Sequence, residues 1–103
     1  MTELESRFHE AMLRIYEVAR DECGYRPIRF LQKVRRDGGV RAARYWLGKK
    51  TPQRGLTTLH ECGRIGISME ALVLRDEFTI LFTEEEHAVA RRRLRALGYE
   101  PNA

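Results

Sequence analysis

Cysteine is scarce in this sequence. Cys23 and Cys62 are the only two, and neither belongs to a C-x-x-C pair. A structural zinc site takes four Cys or His ligands at close, paired spacings, so that class is excluded. His60-Glu61-Cys62 puts three ligand types in a row, but neighbours on a helix point apart and do not converge on one ion. Both cysteines are therefore expected as free, partly buried thiols in a reducing compartment.

Other signatures are missing too. There is no P-loop, no G-x-G-x-x-G and no H-E-x-x-H, which removes the nucleotide-cradling and zinc-protease motifs. No apolar run approaches the roughly 18 residues that span a bilayer. The opening Met1-Thr2-Glu3-Leu4-Glu5 is acidic and amphipathic, unlike a secretory or transit peptide, so the expected location is the cytoplasm. Nucleophilic catalysis needs a Ser or Cys held beside a base. The three histidines, His9, His60 and His87, are scattered, and the Glu84-Glu85-Glu86 run projects in several directions along a helix. No catalytic residue, metal or cofactor is expected.

Acid is the other scarcity, and it is local. Of 19 basic residues in the chain, ten fall between residues 26 and 54, where Asp37 is the only acid. The remaining nine basic residues share the rest of the chain with fourteen acidic ones. A chain polarised in this way presents a strong positive field on one part of its surface, which the modest overall charge of +4 conceals.

What is present is helical punctuation. At 103 residues the chain is long enough for one core and too short for two. Thr2-x-x-Glu5 is a capping box, and Leu4, Phe8, Met12, Ile15 and Ala19 follow it as one apolar stripe that Gly24 ends. Pro27 suits the first position of a second helix, which runs to about Asp37, with Gly38 as a left-handed cap. Phe30, Leu31 and Val34 face one side of it; Arg29, Lys33 and Arg36 face the other.

A third helix spans about Val40 to Leu47, with Val40, Ala43, Trp46 and Leu47 inward and Arg41, Arg44 and Tyr45 outward. A short fourth helix opens at Thr51-Pro52 or is delayed by Gly55 to Leu56–Cys62. Ser68 caps a fifth, and the apolar cluster Phe78, Ile80, Leu81 and Phe82 reads as a further short helix. Thr83-x-x-Glu86 is a second capping box, and Gly98 closes that last helix. Its acidic start and arginine-rich end match the helix dipole, a structural account of the Arg91-Arg92-Arg93 run. Arg93 falls among Val89, Ala90, Leu94 and Leu97, where it must snorkel or pair with a carboxylate such as Glu70 or Glu86. The expectation is an all-α, single-domain bundle of five to six helices, with long capped helices at both ends of the chain.

The basic hairpin is the constellation with functional content. Arg29, Lys33 and Arg36 on the second helix join Arg41, Arg44 and Tyr45 on the third, and Lys49, Lys50 and Arg54 extend the set. Phosphates attract such a surface through counterion release without a sequence code, and Tyr45 and Tyr25 add stacking capacity. Trp46 belongs to the apolar arc and is expected in the core. The adjacent glycines Gly38-Gly39 are shorter than a helix-turn-helix turn, and they lack the apolar residue that separates the glycines of a helix-hairpin-helix.

The stretches FLQKVRRDGGVRAARYWL, GLTTLHECGRIGISMEALVL and LFTEEEHAVARRRLRALGY carry F-L, G-G, an alanine in the next helix, G-x-T-x-L, G-R, x-E-x-L-V and a closing L-x-x-x-G-Y. Over Phe8 to Tyr99 this pattern resembles a family of small, uncharacterised, all-helical bacterial proteins. The resemblance implies a setting beside or attached to restriction-type nucleases, and it brings no catalytic residues.

The function expected from the sequence is a non-catalytic nucleic-acid-binding module or accessory factor. It contacts a DNA or RNA backbone through Arg29, Lys33, Arg36, Arg41, Arg44, Tyr45, Lys49, Lys50 and Arg54. A second reading is a protein-interaction adaptor that meets an acidic partner, or a self-associating helical protein. A third is a small nuclease or toxin built on His60 with Glu61 or another carboxylate.

Overall fold

Both capping boxes form as their spacing predicts. In the computed structural model, which describes residues 1–101, Glu5 N–H donates to Thr2 Oγ1 at 3.1 Å and Thr2 N–H donates to Glu5 Oε1 at 2.8 Å. They start α1, Glu3–Cys23, which Gly24 ends in a left-handed turn at φ 64°. Phe8, Met12, Ile15 and Ala19 are buried as one stripe, with Val18 added at its edge.

α2 spans Ile28–Asp37 and α3 spans Gly39–Leu47. Pro27 sits one residue before α2 rather than inside it, and its carbonyl accepts the Leu31 N–H at 3.1 Å. Gly38 is not a left-handed helical cap. It adopts φ 89° and ψ 153°, a conformation nearly closed to other residues, because it must end α2 and restart α3 with no loop between them. Gly39 serves a different purpose. It is buried, and a Cβ there would stand 2.7 Å from the His9 Cα, so its missing side chain lets α3 lie directly on α1.

α4 spans Arg54–Glu61, between the two starts the sequence suggests, with Gly55 inside its first turn. A 3-10 turn at Ile65–Ile67 leads into α5, Met69–Val73, whose N-cap Ser68 accepts the Ala71 N–H at 3.2 Å. The expected helix around Phe78–Phe82 is a single 3-10 turn, Thr79–Leu81. Here tertiary packing overrides continuation: Phe78 and Phe82 both turn inward to meet Phe8 edge-on, with centroids 5.2 and 5.1 Å away, while Ile80 stays exposed. α6, Glu84–Ala96, starts on the Thr83–Glu86 capping box, and Gly98 follows at φ 80°.

The chain is thus all-α: six α-helices and two 3-10 turns, with no strand among the described residues. α1 is the central element, in contact with α2, α3, α4 and α5, while α6 closes the bundle against α3 and α5. No helix among these residues is long and apolar enough to cross a membrane.

The cysteines overturn an expectation. Cys23 and Cys62 are not free thiols but a disulfide, with Cα atoms 5.7 Å apart across 39 residues of sequence. The bond joins the C-terminal end of α1 to the residue that follows α4, and an Arg64–Glu22 ion pair forms beside it. Spacing along the chain held no sign of this approach, because it depends on how α4 folds back over α1.

Candidate nucleic-acid interface

The nine candidate residues do not form one face; the structure divides them. Arg44 is turned aside: its guanidinium donates to the Leu81 carbonyl at 2.8 Å and lies 3.5 Å from the Glu86 carboxylate, which ties α3 to the start of α6. Arg41 lines a separate depression with Met1, Glu5 and the Gly38-Gly39 turn. Asp37, the partner of Lys33 and Arg36, also lines it.

Lys33 and Lys49 gather on Tyr45, and Arg29, Lys33 and Arg54 line one cavity. The ammonium groups of Lys33 and Lys49 both lie over the Tyr45 ring, 3.9 and 4.5 Å from its centroid. Such contacts hold two positive charges side by side that would otherwise repel. The Lys49 ammonium beside the Tyr45 hydroxyl also lowers that phenol below its ordinary value, with a smaller contribution from Lys33. Asp37 pairs with Lys33 at 2.8 Å and with Arg36 at 3.0 Å. Those two hydrogen bonds, Arg36 first, pull its carboxyl down to about 2, so it is an anion at any physiological pH. Lys50 is exposed in the loop after α3.

Arg29 and Arg54 join Lys33 at a cavity of about 380 Å³ between α1, α2 and α4. Both arginines are exposed, so they stand at its mouth. Its walls are Ile15 and Ala19 of α1, Tyr25 and Pro27 of the α1–α2 connection, Phe30 of α2, Trp46 of α3, and Gly55, Leu56 and Leu59 of α4. Phe30 and Trp46 are stacked nearly parallel, 4.9 Å apart with 8° between their planes. Trp46 is a core residue, as its apolar arc predicts, yet it also contributes to the cavity wall.

The cavity floor is polar. Ser68 and Glu70 line it although they are 1% and 2% exposed. The Glu70 carboxylate accepts from Arg93 Nη1 at 3.2 Å. Arg93 Nη2 donates to the carbonyls of Trp46 at 3.1 Å and Lys49 at 2.7 Å, which satisfies the C-terminal end of α3. Of the two outcomes open to Arg93, snorkelling or pairing, it pairs, and its partner is Glu70, while Glu86 is occupied by its cap and by Arg44. Burial pushes the Glu70 carboxyl above its usual value, and its own backbone N–H and the Arg93 guanidinium only partly oppose this.

Sequence reasoning missed this cavity. Glu70 reads as a helix-start charge and Phe30 as plain core, and nothing in their spacing marks them as neighbours. Among the described residues, no three His, Cys, Asp or Glu side chains come together in a group able to hold a metal ion. The histidines have separate surroundings: His9 Nδ1 accepts from the Gly39 N–H at 2.9 Å, His87 Nε2 lies 2.9 Å from the Thr79 carbonyl, and His60 is exposed on α4.

No family model, curated protein or solved structure matches this chain.

Proposed function

We propose that this chain is a non-catalytic nucleic-acid-binding protein. It holds backbone phosphates through Arg29, Lys33, Lys49, Lys50 and Arg54. The observation that carries this reading is the convergence of Arg29, Lys33 and Arg54 on one cavity mouth, with Lys49 beside Lys33 on the Tyr45 ring. These residues come from three separate places in the sequence, and Asp37 is the only acid within that whole segment. Arg41 and Arg44 contribute less, since Arg44 is engaged by Glu86 and Leu81 and Arg41 stands apart.

A salt series tests this. Affinity for single-stranded and duplex DNA should fall steeply between about 50 and 200 mM salt. Arg29→Gln with Arg54→Gln should flatten the single-strand slope by roughly 1.4, about 0.7 for each lost phosphate contact. Arg41→Gln should change it less than either. Absence of binding at low salt overturns the proposal and leaves an acidic protein partner as the occupant of the basic face.

A further inference from the structure

The cavity behind the basic mouth is larger than phosphate contacts require, and its lining is specific. Its volume of about 380 Å³ lies in the range of pockets that enclose small organic ligands, about 300–1,000 Å³. Building on the phosphate-binding reading, we propose that it receives one unstacked nucleobase of a single strand, whose own phosphate is held at the mouth by Arg29, Lys33 and Arg54.

Three features favour a base over other occupants. First, the walls are apolar and aromatic, with Phe30 and Trp46 stacked on each other, and a base is a flat π system that gains from such surfaces. Second, the floor is polar. Ser68 Oγ accepts the Ala71 N–H and keeps its own proton to donate. The Glu70 carboxyl receives Arg93 at one oxygen and its own backbone N–H, and its two oxygens still have lone pairs to accept a ring or exocyclic N–H group. The Ser68 hydroxyl proton is a donor that a purely apolar occupant would leave unused and that a base can accept. Third, the charges stand at the mouth and the apolar surface lies behind them, in the same order in which a nucleotide carries its phosphate and its base.

A duplex keeps its bases stacked and paired, so this site favours single strands. Gln53 lines the cavity next to Arg54, and its side chain makes no capping bond to α4, which leaves its amide for the sugar or base edge.

Trp46 is the only tryptophan of the chain, so its emission reads the cavity directly. The full chain is titrated at low salt with a single strand of about twelve nucleotides and with an abasic strand of equal length. Both strands should bind. Only the base-bearing strand should quench Trp46, and it should bind about tenfold more tightly. 5′-GMP alone should quench the unmodified chain at high concentration.

Gly55→Leu provides the discriminating variant. A Cβ at Gly55 meets only Tyr25, at an ordinary 3.8 Å, so the position accepts a first side-chain carbon, and because Gly55 lines the cavity the added bulk narrows it and removes no charge. It should leave abasic-strand affinity unchanged and abolish both the quenching and the tenfold advantage. Equal affinity for the two strands, no quenching by 5′-GMP, or undiminished quenching in G55L overturns the base pocket while leaving phosphate binding intact. Failure of both strands to bind overturns the phosphate reading itself.

Discussion

His9 caps a helix that begins thirty residues away. Its Nδ1 accepts the N–H of Gly39 at 2.9 Å, and Gly39 in turn lies so close to α1 that no side chain fits between them. The bond requires an imidazole whose Nδ1 is unprotonated, and it satisfies one of the free N–H groups at the start of α3.

His9→Ala should therefore destabilise the chain by about 1 kcal/mol, the usual effect of losing an N-terminal cap. Gly39→Ala should cost more, about 1–3 kcal/mol, because the clash is with α1 backbone that has no freedom to move aside. Urea unfolding measures both. A G39A chain as stable as the parent would contradict the close α1–α3 approach.

Arg93 and Glu70 form the buried ion pair of the bundle. Arg93→Met leaves Glu70 buried without its partner and frees the Trp46 and Lys49 carbonyls, so a loss of about 3–5 kcal/mol is expected in urea. The raised Glu70 carboxyl sets a pH dependence. The folded chain holds this proton more tightly than the unfolded chain, so its contribution is complete below about pH 4.5 and is lost as pH rises through the higher folded value. Glu70→Gln should remove that part of the slope. An unchanged slope in E70Q would assign it to other groups.

Asp37 is the acid that restrains the basic cluster. Held near 2 by Arg36 and Lys33, it stays ionised wherever the chain would meet nucleic acid. Asp37→Asn should release both cations and tighten single-strand binding several-fold at low salt. The salt slope should steepen by about 0.7 for each cation that then finds a phosphate. Fluorescence titration at two salt concentrations suffices, and unchanged affinity and slope in D37N would place these cations outside the interface.

The Cys23–Cys62 bond closes a long loop, and Cys62 is exposed to reductant. Reduction, or the double substitution Cys23→Ala with Cys62→Ala, should lower stability by about 3–4 kcal/mol. The reduced parent and the double variant should then unfold at similar urea concentrations. Because Tyr25 and Pro27 follow Cys23 and α4 precedes Cys62, reduction should also loosen two walls of the cavity. A parent indifferent to reductant would mean that the thiols are not joined.

Much of the fold was legible because helix signals are local. The Thr2–Glu5 and Thr83–Glu86 boxes, the Ser68 cap, and the stops at Gly24 and Gly98 each involve residues within one turn of each other. The errors lie where distant packing intervenes. Phe78 and Phe82 settle for a single 3-10 turn because both must reach Phe8. The candidate site was legible as a set of residue types and not as a place. Helical periodicity puts Arg41 and Arg44 with Tyr45 on one outer arc, but it carries no knowledge of Glu86, which arrives from α6 to take Arg44 away.

By itself the sequence determined the all-α class, the ends of the long helices, the uneven distribution of charge and the need of Arg93 either to snorkel or to find a carboxylate. These follow from spacing, capping and the cost of burying an unpaired cation. Only the tertiary structure decided that Glu70 is that carboxylate, that Cys23 meets Cys62, and that Arg29, Lys33 and Arg54 surround one cavity backed by Trp46. Glu70 and Arg93 are 23 positions apart, Cys23 and Cys62 are 39 apart, and Arg54 reaches the cavity from another helix than Arg29 and Lys33, so no rule of local periodicity joins them.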